Sequence, residues 1–253
     1  MKRIIIPATV MAIAAASCAP KAPKTEAPDV PIRTYNAPRA SAPIVIDGIL
    51  DEADWQAAPL SEAFADIRGT DFEPKPTKQT YMKMLWDDEY LYIAGIIEED
   101  NVTGSLTEHD SIIYHDNDFE VFIDPDKDCR TYFEIEINAL GTVMDLIMDK
   151  PYNQGGNFFL PWDCRGLKSA VHVDGTLNDP SDTDKCWTVE MAIPFESLTV
   201  GFDNPKDMND WKIGFSRVEW LVEGGPEENW VWNPTGEVNM HIPQNWGILH
   251  FEK

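Results

Sequence analysis

The chain has 253 residues, of which 43% are apolar and 11% aromatic, enough for a packed core over most of its length. It carries 20 Lys and Arg against 44 Asp and Glu, a formal net charge of -24. This excess argues strongly against nucleic acid as a partner, because such binding depends on basic side chains that neutralise phosphates, and it disfavours an anionic membrane surface. Neutral ligands and divalent cations are compatible with it.

The N-terminus has the pattern of an export signal. A basic start, Met1–Arg3, precedes a run of small apolar residues that is too short to span a membrane. The sequence Ala15-Ala16-Ser17-Cys18 resembles a bacterial lipobox, in which Cys18 is lipidated after cleavage of the preceding bond. We predict a lipoprotein signal peptide over residues 1–17 and a flexible tether, rich in Pro, Ala and Lys, over residues 18–43. The protein would then be exported and touch a membrane only through its lipid anchor; ordinary secretion is the alternative.

Three cysteines follow the lipobox. They are Cys129, Cys164 and Cys186. One pair could form a disulfide in an oxidising compartment, and Cys164 with Cys186 would close the shorter loop. No Cys-x-x-Cys spacing occurs, so the sequence indicates neither a zinc site nor a thioredoxin-like motif.

From about residue 44, short apolar runs alternate with turn residues, which is typical of an antiparallel β protein. Short helices are predicted at Asp51–Ala58 and Pro194–Leu198. Nine strands are predicted at Gln79–Trp86, Tyr90–Ile97, Asp118–Asp124, Thr131–Asn138, Thr142–Met148, Leu167–Val173, Trp187–Ile193, Lys212–Trp220 and Gly247–Phe251. Because there is no βαβ rhythm, residues 44–253 are predicted to form a single all-β domain, an antiparallel β-sandwich of immunoglobulin-like or jelly-roll type.

Several predicted strands present a carboxylate on the face away from the core. Side chains alternate along a strand, so Glu134 and Glu136 point away from Ile135, and Glu120 points away from Val121. A pair of carboxylates could hydrolyse glycosidic bonds. The same face could also be the solvated surface of an acidic protein, or it could bind sugar hydroxyls together with a nearby arginine.

The segment Asp124-Pro125-Asp126-Lys127-Asp128 begins like a calcium loop. It lacks the Gly and Glu that an EF-hand needs at its later positions, so a polar turn is the preferred interpretation, with calcium in another loop geometry left open. The five histidines show no ligand spacing, and no nucleophile elbow, phosphate loop or dinucleotide motif occurs.

The tryptophans divide into two groups. Those beside apolar runs are predicted core residues: Trp55, Trp86, Trp187 and Trp246. In the segment Asn229–Gly236, Trp230 and Trp232 stand among polar and turn residues, which predicts a loop whose indoles stack on a sugar ring while Asn233 holds a hydroxyl. The alternative is that both indoles cap the edge of the sandwich. Trp162 and Trp220 are weaker candidates for sugar contact.

Five segments, in this order, resemble the carbohydrate-binding module family 9. They are Asp47-Gly48-x-x-Asp51-Glu52-x-x-Trp55, Trp86–Tyr92, Asp116–Pro125, Tyr132–Gly141 and Trp187-x-x-Glu190-x-x-Ile193-Pro194. The resemblance runs from about Ile44 to Lys253. It implies a β-sandwich of DOMON-like topology that binds sugars, in the best-known members the reducing ends of glycans such as xylan and cellulose, with structural calcium ions and no required cofactor.

The resemblance also implies which residues bind the sugar. Two aromatic rings clamp the sugar in that family, and Tyr114 and Trp232 fall at their places. Glu120 falls on a carboxylate that bonds the sugar, whereas Glu136 stands where an arginine is expected. We predict that Arg217 supplies the missing positive donor.

The predicted function is therefore non-catalytic binding of an oligosaccharide or polysaccharide by a monomeric, exported lipoprotein. The predicted site residues are Tyr114, Glu120, Glu136, Arg217, Trp230, Trp232 and Asn233. One alternative is a glycoside hydrolase that uses two of the carboxylates. A minor alternative is a haem-binding domain, since some DOMON-like domains hold haem; its axial ligands would come from Met82, Met84, Met144 or His172.

Overall fold

The computed structural model describes residues 31–199, 210–221 and 225–253. The predicted signal peptide, Cys18 and the first part of the predicted tether lie outside these ranges. Among the described residues, no helix has the length and apolar character needed to cross a membrane.

Within these ranges thirteen strands form two sheets. The strands are β1 (Thr34–Ala37), β2 (Ala65–Asp66), β3 (Thr80–Trp86), β4 (Tyr90–Glu98), β5 (Asp118–Asp124), β6 (Tyr132–Asn138), β7 (Val143–Met148), β8 (Phe158–Phe159), β9 (Lys168–Asp174), β10 (Cys186–Pro194), β11 (Asp210–Glu219), β12 (Glu228–Val231) and β13 (Gly247–Phe251). The helix α1 spans Ala53–Ala57, and 3₁₀ turns occur at Ile113–His115, Tyr152–Gln154, Phe195–Leu198 and Pro243–Asn245.

The two sheets differ in size. The larger has the order β1-β13-β11-β5-β6-β7-β8, and β12 joins it through β11 and carries β2; the smaller has the order β3-β4-β10-β9. Neighbouring strands are antiparallel except β1 and β13, which run parallel. The predicted antiparallel β-sandwich is confirmed.

The main core lies between the sheets and follows from the alternation of side chains. Phe119 and Val121 on β5 and Ile135 on β6 point inward and pack with Met82 on β3 and Val189 on β10. All five side chains are removed from solvent. Burial of such side chains contributes about 1.5–3 kcal/mol each before the entropy of ordering the chain is subtracted.

The outer face of the larger sheet is also covered. Phe122, Tyr132, Met144 and Trp246 form a second apolar cluster there, beneath loops that fold over β5, β6 and β7. Every residue of these three strands is consequently buried. A sheet covered on both faces removes its charged side chains from bulk water, and this sets the chemistry of the site described below.

All nine predicted strands are present, and the structure adds four: β1, β2, β8 and β12. The predicted tether is wrong at its C-terminal end, because Thr34–Ala37 form β1 and pair with β13. Tyr35 is buried and its hydroxyl donates to the Pro59 carbonyl at 2.6 Å. The folded domain therefore begins about ten residues earlier than predicted.

The cysteines of the described residues do not pair. Cys129, Cys164 and Cys186 are free thiols, so the disulfide between Cys164 and Cys186 is not formed in this structure. Cys164 is buried, and its backbone N–H donates to Asp145 Oδ2 at 2.7 Å.

Candidate functional site

A cleft of about 480 Å³ opens on the outer face of the larger sheet. Strands β5, β6 and β7 form its floor, and the loops that cover this face form its walls. The floor and walls are lined by Tyr114, Glu120, Glu134, Glu136, Met144, Leu146, Tyr152, Phe158, Glu227, Asn229, Asn239 and His241, among others. The size and the mixture of apolar and polar groups are those of a small-molecule site.

Carboxyl groups dominate the floor. Glu120 on β5 lies directly opposite Glu136 on β6, and Glu134 is the next residue of β6 on the same face. Asp118, two residues before Glu120, is fully buried beside them and accepts a hydrogen bond from the Val218 backbone at 2.9 Å. Like charges in register destabilise a sheet, so this arrangement needs compensation from protons or from a ligand.

Protons supply part of that compensation. Burial raises the pKa of Glu120 and of Glu136 well above the usual range, and their mutual repulsion raises both further. Burial, with the charge of Glu120 added, raises the pKa of Glu134 to about 8. At neutral pH the floor therefore holds protonated carboxyl groups, which can donate hydrogen bonds as well as accept them.

A histidine lies over this floor. The Tyr132 hydroxyl is 2.8 Å from His241 Nδ1, and His241 Nε2 is 4.0 Å from Glu134 Oε2. Burial lowers the pKa of His241 to about 4 and raises that of Tyr132. The imidazole is thus neutral and accepts the Tyr132 proton at Nδ1, which leaves N–H at Nε2, facing Glu134. The Tyr152 ring packs edge-on against His241 with 4.4 Å between centroids.

Two tyrosine rings remain accessible at the walls. Tyr114 is 39% exposed and Tyr152 is 46% exposed. Tyr114 sits in the 3₁₀ turn before β5; its backbone N–H donates to Glu136 Oε2 at 3.2 Å, and its carbonyl accepts from Trp220 Nε1 at 2.9 Å. These bonds fix the turn against the floor.

Three of the predicted site residues, Tyr114, Glu120 and Glu136, come together in this cleft. Arg217 does not. It follows the inward parity of Phe215 on β11, is 0% exposed, forms ion pairs with Glu219 and, at 3.6 Å, Glu99, and donates to the Glu98 carbonyl at 2.8 Å. The structure places this arginine inside the sandwich, on the opposite side of the sheet from the cleft.

The predicted polar loop with exposed indoles is also wrong. Trp230 lies in β12, and both Trp230 and Trp232 point into the main core, where each is at most 1% exposed. Trp232 Nε1 donates to Glu62 Oε2 at 3.1 Å. Asn233 is buried as well, accepting from the Arg33 backbone at 2.7 Å and donating to the Asn245 carbonyl at 2.7 Å. These three residues serve packing and loop closure.

The core prediction for the other tryptophans is confirmed for Trp55, Trp187 and Trp246, which are fully buried, whereas Trp86 is half-buried. The sequence analysis missed Tyr152 and His241. Both lie on loops far from β5 and β6 in the chain, and no local pattern brings them to the sheet. Glu134 was named as a face residue through strand alternation but not as a site residue.

The acidic turn does not present an open calcium cage. Asp124 accepts backbone hydrogen bonds from Lys127 at 3.0 Å and from Cys129 at 2.9 Å, one on each carboxylate oxygen. Asp126 and Asp128 are exposed and lie near it. This is the bonding of a polar turn, so no step is derived from calcium there.

The residues proposed for haem do not converge. Met82 and Met84 lie in the main core, Met144 lies in the outer apolar cluster, and His172 is exposed on β9. No axial pair is formed from these four.

An antiparallel sandwich with a loop-covered, partly aromatic and polar cleft defines a ligand-binding β-sandwich domain. The model of the family "Carbohydrate family 9 binding domain-like" matches residues 46–253, and the chain belongs to this family. The resemblance seen in the five sequence segments is thereby confirmed, and with it the class of non-catalytic carbohydrate-binding domains.

Three similar proteins illustrate the range of the family. A protein from Bacteroides uniformis that is inferred to bind carbohydrate has a similar structure, with a TM-score of 0.67, 16% identity, and coverage of 87% of this chain and 98% of that one. A family 9 module from Caldicellulosiruptor kristjanssonii in complex with cellotriose gives a TM-score of 0.58, 16% identity, and coverage of 87% and 94%. The exoglucanase XynX of Acetivibrio thermocellus is 27% identical over 190 residues, which cover 72% of this chain but only 15% of that enzyme.

Proposed function

We propose that this chain binds an oligosaccharide or polysaccharide, without cleaving it, in the cleft over β5, β6 and β7. The observation that carries this proposal is the combination of two accessible tyrosine rings, Tyr114 and Tyr152, with the row of buried carboxyl groups between the walls. A tyrosine ring offers a flat apolar surface to the C–H face of a pyranose, and carboxyl groups fix the orientation of its hydroxyls.

The placement of the carboxyl groups disfavours the hydrolase alternative. Glycosidases hold their two carboxyl groups on either side of the scissile bond. Glu120 and Glu136 are instead neighbours on one sheet face, so a sugar resting on this floor has both on the same side. We therefore propose binding alone.

We also propose that the domain is exported and held at a membrane through a lipid on Cys18, and that it acts as a monomer. The lipobox-like sequence Ala15-Ala16-Ser17-Cys18 supports the anchor. A Cys18→Ser variant should move from the membrane fraction to the soluble fraction; if the wild-type chain is already soluble, the anchor proposal fails.

Calorimetric titration against cello-, xylo- and manno-oligosaccharides tests the binding proposal. Tyr114→Ala and Tyr152→Ala should each weaken the binding of whichever sugar binds. Tyr81→Ala is the matched control, because Tyr81 lies on the outward-facing parity of β3 in the other sheet. Equal binding by all four proteins, or no binding by the wild type, would refute the proposed site. Incubation with labelled oligosaccharide should yield no product.

A further inference from the structure

The cleft has acidic groups without basic partners. Its lining includes Glu120, Glu134, Glu136 and Glu227, and among the described lining residues there is no lysine or arginine. The nearest basic nitrogen to the floor, Nε2 of His241, belongs to a neutral ring 4.0 Å from Glu134. The arginine that sequence analysis assigned to this surface is inside the sandwich.

Two buried oxygens at the floor lack any hydrogen-bond partner. Glu134 Oε2 and Asp118 Oδ2 are both inaccessible and unpartnered, and their residues are 5% and 0% exposed. Glu134 lines the cleft directly, and Asp118 lies beneath it beside Glu120 and Glu136, with oxygen atoms of these three within 4.8 Å of one another. A buried acceptor without a donor costs about 1–3 kcal/mol, so these oxygens indicate a group that is supplied from outside.

The missing group must donate several hydrogen bonds and carry positive charge. An ammonium group has three N–H donors and no acceptor, which suits a floor made of carboxyl oxygens. A neutral hydroxyl brings one donor and no charge, and a uronic acid would add another negative charge. The walls fit an organic ring rather than a bare ion, because Tyr114, Tyr152 and Leu146 present apolar surface that an ion with six to eight oxygen ligands does not use.

We infer, building on the proposed function, that the cleft selects a carbohydrate with a free amino group, such as a 2-amino-2-deoxyhexose unit, and seats its ammonium among Glu120, Glu134 and Glu136. The ligand class is a de-N-acetylated amino sugar or a polymer that contains one. Family membership does not specify this preference; it follows from the uncompensated carboxyl groups of this chain.

Three trisaccharides test the inference, because they share the β-1,4-linked gluco backbone and differ only at C2. They are the glucosamine trimer, the N-acetylglucosamine trimer and cellotriose. Calorimetric titration at about pH 7, where an amine with a pKa near 8 is largely charged, should show the glucosamine trimer binding at least about tenfold more tightly than cellotriose, the factor that one charge-assisted hydrogen bond supplies.

Variants localise the effect. Glu134→Gln and Glu136→Gln should each reduce the preference for the glucosamine trimer to less than about threefold. Glu196→Gln, an equal charge change at an exposed position outside the cleft, should keep the full preference. Thermal unfolding of each variant verifies that it is folded, and binding of cellotriose by the same variants provides a second reference.

Other outcomes separate the two proposals. If cellotriose binds as tightly as the glucosamine trimer, the inference is overturned while carbohydrate binding stands. If none of these or the neutral oligosaccharides binds, both fail. If calcium chloride alone binds at the floor, and the sugars then bind without preference for the amine, a divalent cation is the occupant and the inference is overturned.

Discussion

The indole Nε1 of Trp55 donates a hydrogen bond to Glu190 Oε1 at 2.7 Å, across the outer face of the smaller sheet. The other oxygen of Glu190 accepts the backbone N–H groups of Asp47 and Gly48, both at 3.0 Å. One carboxylate therefore holds both α1 and the segment before it against β10. Two of the sequence segments that carry the family resemblance meet at this point, and their shared residues are structural.

We predict that Glu190→Ala lowers the free energy of unfolding by about 2–4 kcal/mol, because it leaves the buried indole N–H and two backbone N–H groups without an acceptor. Urea unfolding measures the change. Glu196→Ala, at an exposed position, should leave the midpoint unchanged. Equal midpoints for both variants would contradict the role assigned to Glu190, and sugar binding by the folded fraction should not change.

Stability should fall as the pH rises through neutrality. Burial raises the pKa of Glu99 to about 7, with a further contribution from the charge of Glu219, and burial raises the pKa of Asp124 to about 7 and of Asp145 to about 6. Because these pKa values are raised in the folded state, the folded protein binds more protons than the unfolded chain. The stabilisation is fully present below the ordinary carboxyl range and is lost as the pH approaches the raised values.

The melting temperature should accordingly decrease from about pH 5 to about pH 8. Glu99→Gln should flatten part of this slope, since the amide can still accept from Trp187 Nε1, which lies 2.9 Å from Glu99 Oε2, but cannot ionise. A melting temperature that rises across this interval would contradict the assignment.

Arg217 should behave as a stability residue. Arg217→Met leaves Glu99 and Glu219 buried without their cation, and loss of one partner of a buried ion pair costs about 3–5 kcal/mol. Lys185→Met, which breaks the exposed pair with Asp174, should change the melting temperature little. Denaturant titration distinguishes the two. If the Arg217 variant keeps its stability and loses only sugar binding, the interior placement of this residue is contradicted.

Packing around Trp232 gives another prediction. A Cβ at Gly247 would fall within the Trp232 ring, so Gly247→Ala should destabilise the domain by about 1–3 kcal/mol or more through overpacking. The double variant Gly247→Ala with Trp232→Leu should recover part of the loss, which thermal unfolding can measure. Gly69→Ala tests the opposite case for space, because no atom lies near its added methyl group, although its backbone conformation favours glycine. No recovery in the double variant would contradict the packing account.

The long strands could be predicted because their alternation is strong. Tyr132–Asn138 alternates without interruption, and β6 spans those residues. The strands that were missed, such as β2 with two residues and β1 with four, are too short to show a period and exist because a partner strand is adjacent. No single-chain pattern reports that partner.

The site could be predicted only where it lies on or beside a regular strand. Glu120 and Glu136 follow from alternation and Tyr114 from the family resemblance. The same alternation could have placed Arg217 inward, since it shares the parity of Ile213 and Phe215. Polar neighbours made Trp232 resemble a loop residue, because local composition does not show which face of the sheet a short strand presents.

The parallel pair β1–β13 has a mechanical consequence. The chain enters the domain through β1, whose four residues pair only with β13 within the described sheet. Under the proposed anchoring at Cys18, any load between the membrane and a bound polysaccharide enters the sandwich through this short ladder and the hydrogen bond from the Arg33 backbone to Asn233. The strength of one edge strand, and not the cohesion of the core, then limits the force at which the anchored domain begins to open.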